Sequence, residues 1–158
     1  MIRNIAILSV LLCPFISFGL DLDCDEGYTE IDTCYYQNDL DVLQVIIDNS
    51  AETINMDMDI NGNGIIDPIE LGEQEWANGR IVQLYCSWVD GSWKMCEVSG
   101  AMPAEIGNLT TLIELDFYGN NLTGAIPSEI GNLVMLEHLK LTGNEISGEL
   151  PPEIWTLT

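Results

Sequence analysis

Apolar residues in the C-terminal half of the chain recur at a fixed spacing. Residues 101–124 read AMPAEIGNLTTLIELDFYGNNLTG and residues 125–148 read AIPSEIGNLVMLEHLKLTGNEISG, which gives a period of 24 residues without gaps. A third copy begins at residue 149 with ELPPEIWTLT. The repeated apolar positions are Leu109, Leu112, Leu115, Phe117, Leu122, Ile126 and Ile130, then Leu133, Leu136, Leu139, Leu141, Ile146, Leu150 and Ile154. Such self-similarity predicts a stack of equivalent structural units.

A degenerate unit is predicted at residues 80–100, before the regular copies. RIVQLYC supplies an apolar strand pattern, and CEVSGAMP matches the second half of the later copies. Between them lies the insertion SWVDGSWKM, which is bracketed by Cys86 and Cys96. A disulfide between these two cysteines would close the inserted loop.

An apolar stripe at three- and four-residue spacing precedes the repeats. It consists of Leu40, Leu43, Ile47, Ala51, Ile54 and Met58. This spacing predicts helix within residues 39–58. A second short helix is expected from about Pro68 to Trp76, ending near Gly79. Helices here would cap the first unit, whose apolar stack would otherwise face water.

The repeats resemble a known family. Their common pattern, L-x-x-L-x-L-x-x-N-x-L-x-G-x-I-P-x-x-I-G-N-L, is similar to leucine-rich repeats of plant receptor ectodomains, a type also found in bacterial surface proteins. The resemblance implies an α/β solenoid with short parallel strands on its concave face, preceded by a small helical cap. It also implies that Asn120 and Asn144 bond backbone groups after each strand, and that Pro127 and Pro151 start the convex segments.

The concave face is a candidate binding surface, because solenoids of this kind bind partners there. Six side chains should point outward from its strands: Glu114, Asp116, Tyr118, His138, Lys140 and Thr142. Stacking would place His138 beside Glu114 and Lys140 beside Asp116, as opposite-charge neighbours. The alternative interpretation is a solvated face with weak ion pairs.

A twelve-residue segment of the predicted cap, residues 59–70, reads DINGNGIIDPIE and fits the pattern of an EF-hand calcium loop. Its predicted ligands are Asp59, Asn61, Asn63, the carbonyl of Ile65, Asp67 through water, and Glu70. Gly64 would permit the sharp turn, and Ile66 fills the apolar position. The same residues also fit a helix start with Asp67 as N-cap and Glu70 at N3, and the two interpretations are compatible. A single loop lacks an EF-hand partner, so the sequence favours a structural Ca²⁺ over a sensor.

The net charge of the chain excludes some classes of binding partner. The chain of 158 residues carries 26 acidic and 4 basic residues, a formal net charge of −22. Such a surface repels nucleic acids and anionic membranes. At 47% hydrophobic residues, the composition is that of a folded protein and not of an acidic tail.

The N-terminus predicts export. Residues 1–19 carry one Arg and an apolar run, and Ser17 and Gly19 fit the spacing of a signal-peptidase site. The alternative is an uncleaved anchor, although the run is short for a membrane span. The predicted domains are a leader at 1–19, a helical cap at 20–79, and repeats at 80–158 that include the regular copies and a partial one at 149–158.

Cleavage would remove Cys13 and leave four cysteines in an exported chain. Two disulfides are then expected, and three pairings are possible. We predict the local pairing Cys24–Cys34 and Cys86–Cys96, because each pair brackets a short loop. A four-cysteine zinc site is the rival, but the spacing lacks a zinc-knuckle pattern.

Catalytic chemistry has little support in the sequence. His138 is the single histidine, and the remaining thiols are expected to be oxidised, so no nucleophilic site is predicted. Asn108 and Asn121 each begin the sequence Asn-Leu-Thr, which accepts glycans only in a eukaryotic secretory pathway.

Three functions remain open. The first is a secreted or cell-surface binding module for a protein or glycan, with a structural Ca²⁺ and no membrane span within this chain. The second is a calcium-responsive regulator, and the third is the non-catalytic N-terminal part of a larger exported enzyme or receptor. Because the third copy is partial, we expect the array to continue into further repeats.

Overall fold

The computed structural model of the chain describes residues 28–30, 34–87 and 96–156. The predicted leader at 1–19 and Cys24 lie outside these residues. Within them, no helix is long and apolar enough to cross a membrane.

Short strands alternate with turns along the chain, with one α-helix near the start. The strands are β1 Tyr28–Glu30, β2 Cys34–Tyr36, β3 Glu73–Ala77, β4 Arg80–Tyr85, β5 Ser99–Ala101, β6 Glu114–Asp116, β7 Asn121–Gly124, β8 His138–Lys140 and β9 Glu145–Ile146. The helix is α1, Gln37–Asn49. Strands β4, β6 and β8 pair in parallel, and β3 adds to β4 in antiparallel orientation. The short parallel strands predicted from the repeat pattern are therefore present.

A second parallel sheet, β5-β7-β9, runs along the other side of the repeats. Two asparagines connect neighbouring repeats next to it. Asn120 donates from Nδ2 to the Cys86 carbonyl and accepts the Val98 N–H at Oδ1. Asn144 makes the same kind of contacts one repeat later, to the Phe117 carbonyl and the Leu122 N–H. This is the ladder that the resemblance implied.

The repeats pack around one apolar core. The leucines at corresponding positions, such as Leu84 and Leu115, are fully buried on adjacent strands. On the convex side, Gly107 lies so close to the next repeat that a Cβ there would be 2.5 Å from the Glu129 carbonyl oxygen. The next repeat therefore requires glycine at this position, which explains the recurring Ile-Gly-Asn-Leu.

Helix α1 covers the first unit, as the apolar stripe predicted. Leu40, Leu43 and Ile47 are buried, and Leu43 and Ile47 belong to the same apolar cluster as the repeat leucines. The helix ends at Asn49, however, so the stripe does not continue as helix to Met58. Ser50 contributes to this end, because its hydroxyl donates to the Ile46 carbonyl and accepts the Ser99 N–H.

The predicted second helix from Pro68 to Trp76 is wrong. Residues Pro68–Glu70 form a single 3₁₀ turn, and the chain then enters β3. Gly72 adopts a φ of +65°, which breaks the helix, and Gln74 donates to the Pro68 carbonyl that a longer helix would have used. The segment after the turn instead pairs with β4.

Candidate functional site

Two rows of side chains cross the concave sheet. One row runs from Glu75 through Gln83 and Glu114 to His138. The other runs from Glu73 through Tyr85 and Asp116 to Lys140. The predicted face residues of β6 and β8 are thus direct neighbours, with His138 opposite Glu114 and Lys140 opposite Asp116.

Lys140 is held by two carboxylates. Its Nζ lies 2.7 Å from Glu114 Oε1 and 3.2 Å from Asp116 Oδ2, so the diagonal contact is the shorter one. The Lys140 hydrogen bond is the main reason that the pKa of Glu114 is lowered. The reciprocal bond from Glu114, with that from Asp116, raises the pKa of Lys140. Both groups therefore stay charged at neutral pH.

Tyr85 completes this network. Its hydroxyl is 2.6 Å from Gln83 Oε1 and 2.9 Å from Glu114 Oε2. Burial, followed by the bond to Glu114, raises the pKa of Tyr85 to about 12. The phenol is a fixed donor at the centre of the face, because its ionisation is suppressed throughout the physiological range.

The remaining predicted face residues are open to solvent. Tyr118 is 50% exposed, and His138 and Thr142 are also exposed. The Tyr118 N–H donates to Asp116 Oδ1, which fixes its backbone beside the network while the ring projects outward. An exposed aromatic ring next to an ordered polar cluster is a common form of protein-binding surface.

The predicted calcium loop has a compact geometry. Asp59 Oδ1 accepts the N–H groups of Gly62 and Asn63, and its Oδ2 accepts that of Gly64. Glu70 closes the loop from the other end, since its Oε1 accepts the N–H groups of Ile60 and Asn61. The first and last predicted ligands thus both accept backbone N–H groups of the loop.

The middle of the loop presents further oxygen atoms. Asp67 Oδ2 accepts from Nδ2 of both Asn61 and Asn63. The Asn61 side-chain oxygen accepts the Asn63 N–H, and the Asn63 side-chain oxygen accepts the Ile65 N–H. Each of these amide oxygens keeps a second lone pair. Over the described residues, no three His, Cys, Asp or Glu side chains form a metal-binding group. A cation here would depend on amide and carbonyl oxygens as well as carboxylates.

Apolar residues fasten this loop to the core of the repeats. Met58, just before it, is 4% exposed, and Ile66, within it, is also 4% exposed. Both belong to the same apolar cluster as the repeat leucines. The Glu70 carboxylate also accepts the Asp67 N–H, which is the Glu70 half of the predicted capping box. The apolar position of the loop therefore contacts the core of its own chain.

The sequence missed part of the concave face. Gln83 and Tyr85 belong to it, and the antiparallel β3 adds Glu73 and Glu75. The alternation in RIVQLYC, aligned with the later copies, carries the signal for Gln83 and Tyr85. The repeat pattern carries no comparable signal for β3, because this strand precedes the first repeat unit and pairs antiparallel to β4.

The described residues contain both cysteines of one predicted disulfide and one cysteine of the other. Cys86 and Cys96 are bonded as predicted and are fully buried. Cys34 is also disulfide-bonded. Its predicted partner, Cys24, lies outside the described residues.

Comparison with known families identifies the repeats. The family model described as Leucine Rich Repeat matches residues 111–133 and 135–157. Over these two stretches the chain is similar to leucine-rich repeats. No curated protein matches it significantly.

Solved structures show the same fold. The leucine-rich repeat ectodomain of the receptor kinase SOBIR1 from Arabidopsis thaliana matches with a TM-score of 0.50 and 25% identity, over 78% of this chain and 64% of that one. The structure of PEPR1-AtPEP1 matches with a TM-score of 0.52 and 22% identity, over 75% of this chain and 19% of that one.

The chain spans only a small part of its longer neighbours. The ectodomain of the receptor kinase GASSHO1/SCHENGEN3 from Arabidopsis thaliana is 39% identical over 37% of this chain, with a TM-score of 0.37. The match covers 7% of that ectodomain. The SOBIR1 and PEPR1-AtPEP1 structures support a repeat fold with short strands for this chain.

Proposed function

We propose that the chain is a secreted or cell-surface leucine-rich repeat module that recognises a protein partner through its concave face. The observation that carries the proposal is the ordered sheet face, on which Tyr85, Glu114 and Lys140 form a fixed network beside the exposed Tyr118 ring. The likeness to the SOBIR1 ectodomain supports the same class of function. The proposal includes no catalytic step.

The charge of the face favours a partner with basic side chains. Four carboxylates occupy the two rows, at Glu73, Glu75, Glu114 and Asp116, against the single ammonium group of Lys140. Because opposite potentials attract during encounter, a basic segment would associate faster than an acidic one, and the rate would fall as salt is added. A glycan partner would lack this salt dependence.

A peptide library tests the recognition proposal. A displayed library of random peptides is selected on the mature chain, and the affinity of the enriched peptides is measured. Tyr118→Ala should weaken binding at least tenfold, as expected for an aromatic anchor at an interface. Val134→Ala is the matched control, because Val134 is 65% exposed but lies before β8, next to the 3₁₀ turn Ser128–Asn132, whereas Tyr118 follows β6. Equal affinity of the two variants would place recognition on another surface.

We also propose that the loop at residues 59–70 binds a structural Ca²⁺. Asp59, Asn61, Asn63, the Ile65 carbonyl, Asp67 and Glu70 would supply the oxygens. Their alternating order supports this, and so do the hydrogen bonds that Asp59, Asp67 and Glu70 accept within the loop. The ion would offset the repulsion among three carboxylates in a short segment. Since the ends of the loop pack on the repeat core, Ca²⁺ would stabilise the cap.

Melting with and without calcium tests this second part. If the dissociation constant is about 10⁻⁴ M, CaCl2 at about 10⁻³ M stabilises the fold by roughly 1.4 kcal/mol. The melting temperature should then rise by roughly 3–5 °C. Glu70→Gln should abolish the rise, because it removes the predicted bidentate carboxylate, whereas Asp57→Asn, at an exposed acid just before the loop, should keep it.

The outcome also separates the structural role from a regulatory one. A calcium-dependent rise in melting temperature with unchanged peptide affinity supports the structural site. A calcium-dependent change in affinity, measured where both forms are folded, would favour a calcium-responsive regulator. No rise in the wild-type chain would contradict the site itself.

A further inference from the structure

The sequence Asn-Leu-Thr occurs twice in the repeats, at residues 108–110 and 121–123. Asparagine followed by any residue except proline and then by serine or threonine is the acceptor for N-linked glycans. We propose that Asn108 and Asn121 are both glycan acceptors when the chain passes through a eukaryotic secretory pathway. This inference rests on the proposed export of the chain and adds a covalent modification to it.

The transfer reaction defines what the fold must allow. The asparagine side-chain nitrogen forms a bond to C1 of the first sugar, and the bond from that carbon to a lipid-linked pyrophosphate breaks. One amide proton is lost to the pyrophosphate leaving group, and no electrons are exchanged. The product has one N–H and a bulky substituent. It is therefore compatible only with a side chain that lies in solvent and has no essential hydrogen bond.

Asn108 meets both conditions. It is the last residue of the 3₁₀ turn Ala104–Asn108 on the convex side, and its side chain is exposed. Its backbone carbonyl accepts the Thr110 N–H, so the turn is held by main-chain atoms. Within the described residues, no hydrogen bond involves its side-chain amide. A glycan there would project from the convex surface.

Asn121 meets them as well. It is the first residue of β7, and both its side chain and that of Thr123 are exposed. Its backbone N–H donates to the Val98 carbonyl, which holds the strand in place. Its side-chain amide makes no hydrogen bond to any residue that the structure describes. The sheet pairing thus survives loss of one amide proton.

The neighbouring asparagine shows the contrast. Asn120 is 5% exposed, and its Nδ2 donates to the carbonyls of Cys86 and Tyr118. Asn144, one repeat later, likewise uses Nδ2 for the Phe117 and Leu141 carbonyls. Neither is followed by serine or threonine at the required spacing. The asparagines that build the ladder are therefore distinct from those that carry the acceptor sequence.

The two acceptors also leave the proposed binding face free. Neither residue belongs to β4, β6 or β8, the strands that carry the concave rows. Asn108 lies in the turn before β6, and Asn121 lies in the second sheet after it. Glycans at these positions would lie on the convex side and beside the second sheet, away from the proposed concave binding face.

The test expresses the full chain in eukaryotic secretory cells and measures intact mass before and after an amidase that removes N-linked glycans. We expect two occupied sites in the wild type and one in each of Asn108→Gln and Asn121→Gln. The amidase should convert each occupied asparagine to aspartate, which peptide mass spectrometry locates. Val134→Thr is the matched control, because it creates the same acceptor sequence at Asn132, the exposed counterpart of Asn108 one repeat later.

A second arm separates this inference from the proposed export. In it, residues 1–19 are replaced by a leader of the host cell. Glycans on Asn108 and Asn121 in this arm, with none when the native N-terminus is used, would support the acceptors and contradict export by the native leader. A gain of glycan at Asn132 in Val134→Thr, with Asn108 and Asn121 unmodified in both arms, would overturn the proposal.

Discussion

Removal of one buried carboxylate should weaken the attachment of the cap to the repeats and lower the free energy of unfolding. Asp39, near the start of α1, has a fully buried side chain. Its Oδ2 lies 2.8 Å from Arg80 Nε and 3.0 Å from the Ile81 backbone N, and its Oδ1 lies 3.0 Å from Arg80 Nη2. The guanidinium also stacks on the Tyr36 ring at 4.3 Å. This one carboxylate therefore joins the helix to the first strand of the repeat sheet.

The expected loss follows from these contacts. Deleting one member of a buried, hydrogen-bonded ion pair costs about 3–5 kcal/mol, because the remaining charge keeps its desolvation penalty. The Arg80 side chain is 21% exposed and regains part of its hydration, so Asp39→Ala should lie near the lower limit. We expect a loss of roughly 3 kcal/mol, a large share of the ~5–15 kcal/mol typical of a domain.

Urea unfolding measures this loss. With an m-value of about 2 kcal/mol/M, the midpoint should fall by roughly 1.5 M. Asp41→Ala on the same helix is the matched control. Asp41 is exposed and accepts a single side-chain bond from Gln37, so its loss should stay within about 0.5 kcal/mol. Equal losses for the two variants would refute the claim that Asp39 holds the cap on the repeats.

Two pairs of substitutions and one titration test the packing and the site. Gly72→Ala should lower the free energy of unfolding in urea by about 2–4 kcal/mol, because the new Cβ would overlap the Tyr85 carbonyl oxygen and meet the buried disulfide. Gly62 also has a positive φ but has nothing within 4 Å of a Cβ, so Gly62→Ala should lower it by only about 1–2 kcal/mol. Asn120→Ala should cost about 2–3 kcal/mol and Asn121→Ala less than about 0.5 kcal/mol, and equal losses would contradict the ladder. The phenolate absorbance of Tyr85 should appear with a pKa of about 12. Because folding raises the pKa of Tyr85, the stability that this phenol contributes is complete below pH ~10 and is lost as the pH rises through the folded pKa. A titration midpoint of Tyr85 near pH ~10 would refute the buried contact.

The repeat architecture could be predicted because its signals are local and periodic. Each copy places equivalent leucines side by side on adjacent strands, so a regular sequence period predicts a stack of parallel strands. The bonding roles of Asn120 and Asn144 were implied by the resemblance to leucine-rich repeats, and the structure contains these bonds. The spacing of Cys86 and Cys96 around an insertion likewise pointed to the bond that the structure contains.

The start of the array could not be predicted as well, because long-range pairing decides its structure. The segment from Pro68 to Trp76 has a good helix start, with Pro68 and Glu70 in favourable positions. The exposed edge of β4 and the left-handed Gly72 instead favour a strand. The Asp39–Arg80 pair spans 41 positions of sequence and carries no periodic signal.

The candidate site was predictable in part for the same reason. The register of regular repeats places Glu114 beside His138 and Asp116 beside Lys140, which spacing alone gives. The shorter contact between Lys140 and Glu114 depends on side-chain reach and on the bond from Tyr85, which belongs to the irregular unit. Only the folded sheet shows that these groups form one network.

One affinity measurement tests the central claim most directly. It compares the binding of a library-selected peptide to the wild-type chain and to the double variant Tyr118→Ala/His138→Ala. Both side chains are exposed on the concave face, and no side-chain hydrogen bond of either joins it to another described residue, so the fold should persist. The account predicts at least a tenfold weaker affinity with an unchanged melting temperature. An affinity unchanged within twofold would contradict recognition through the concave face.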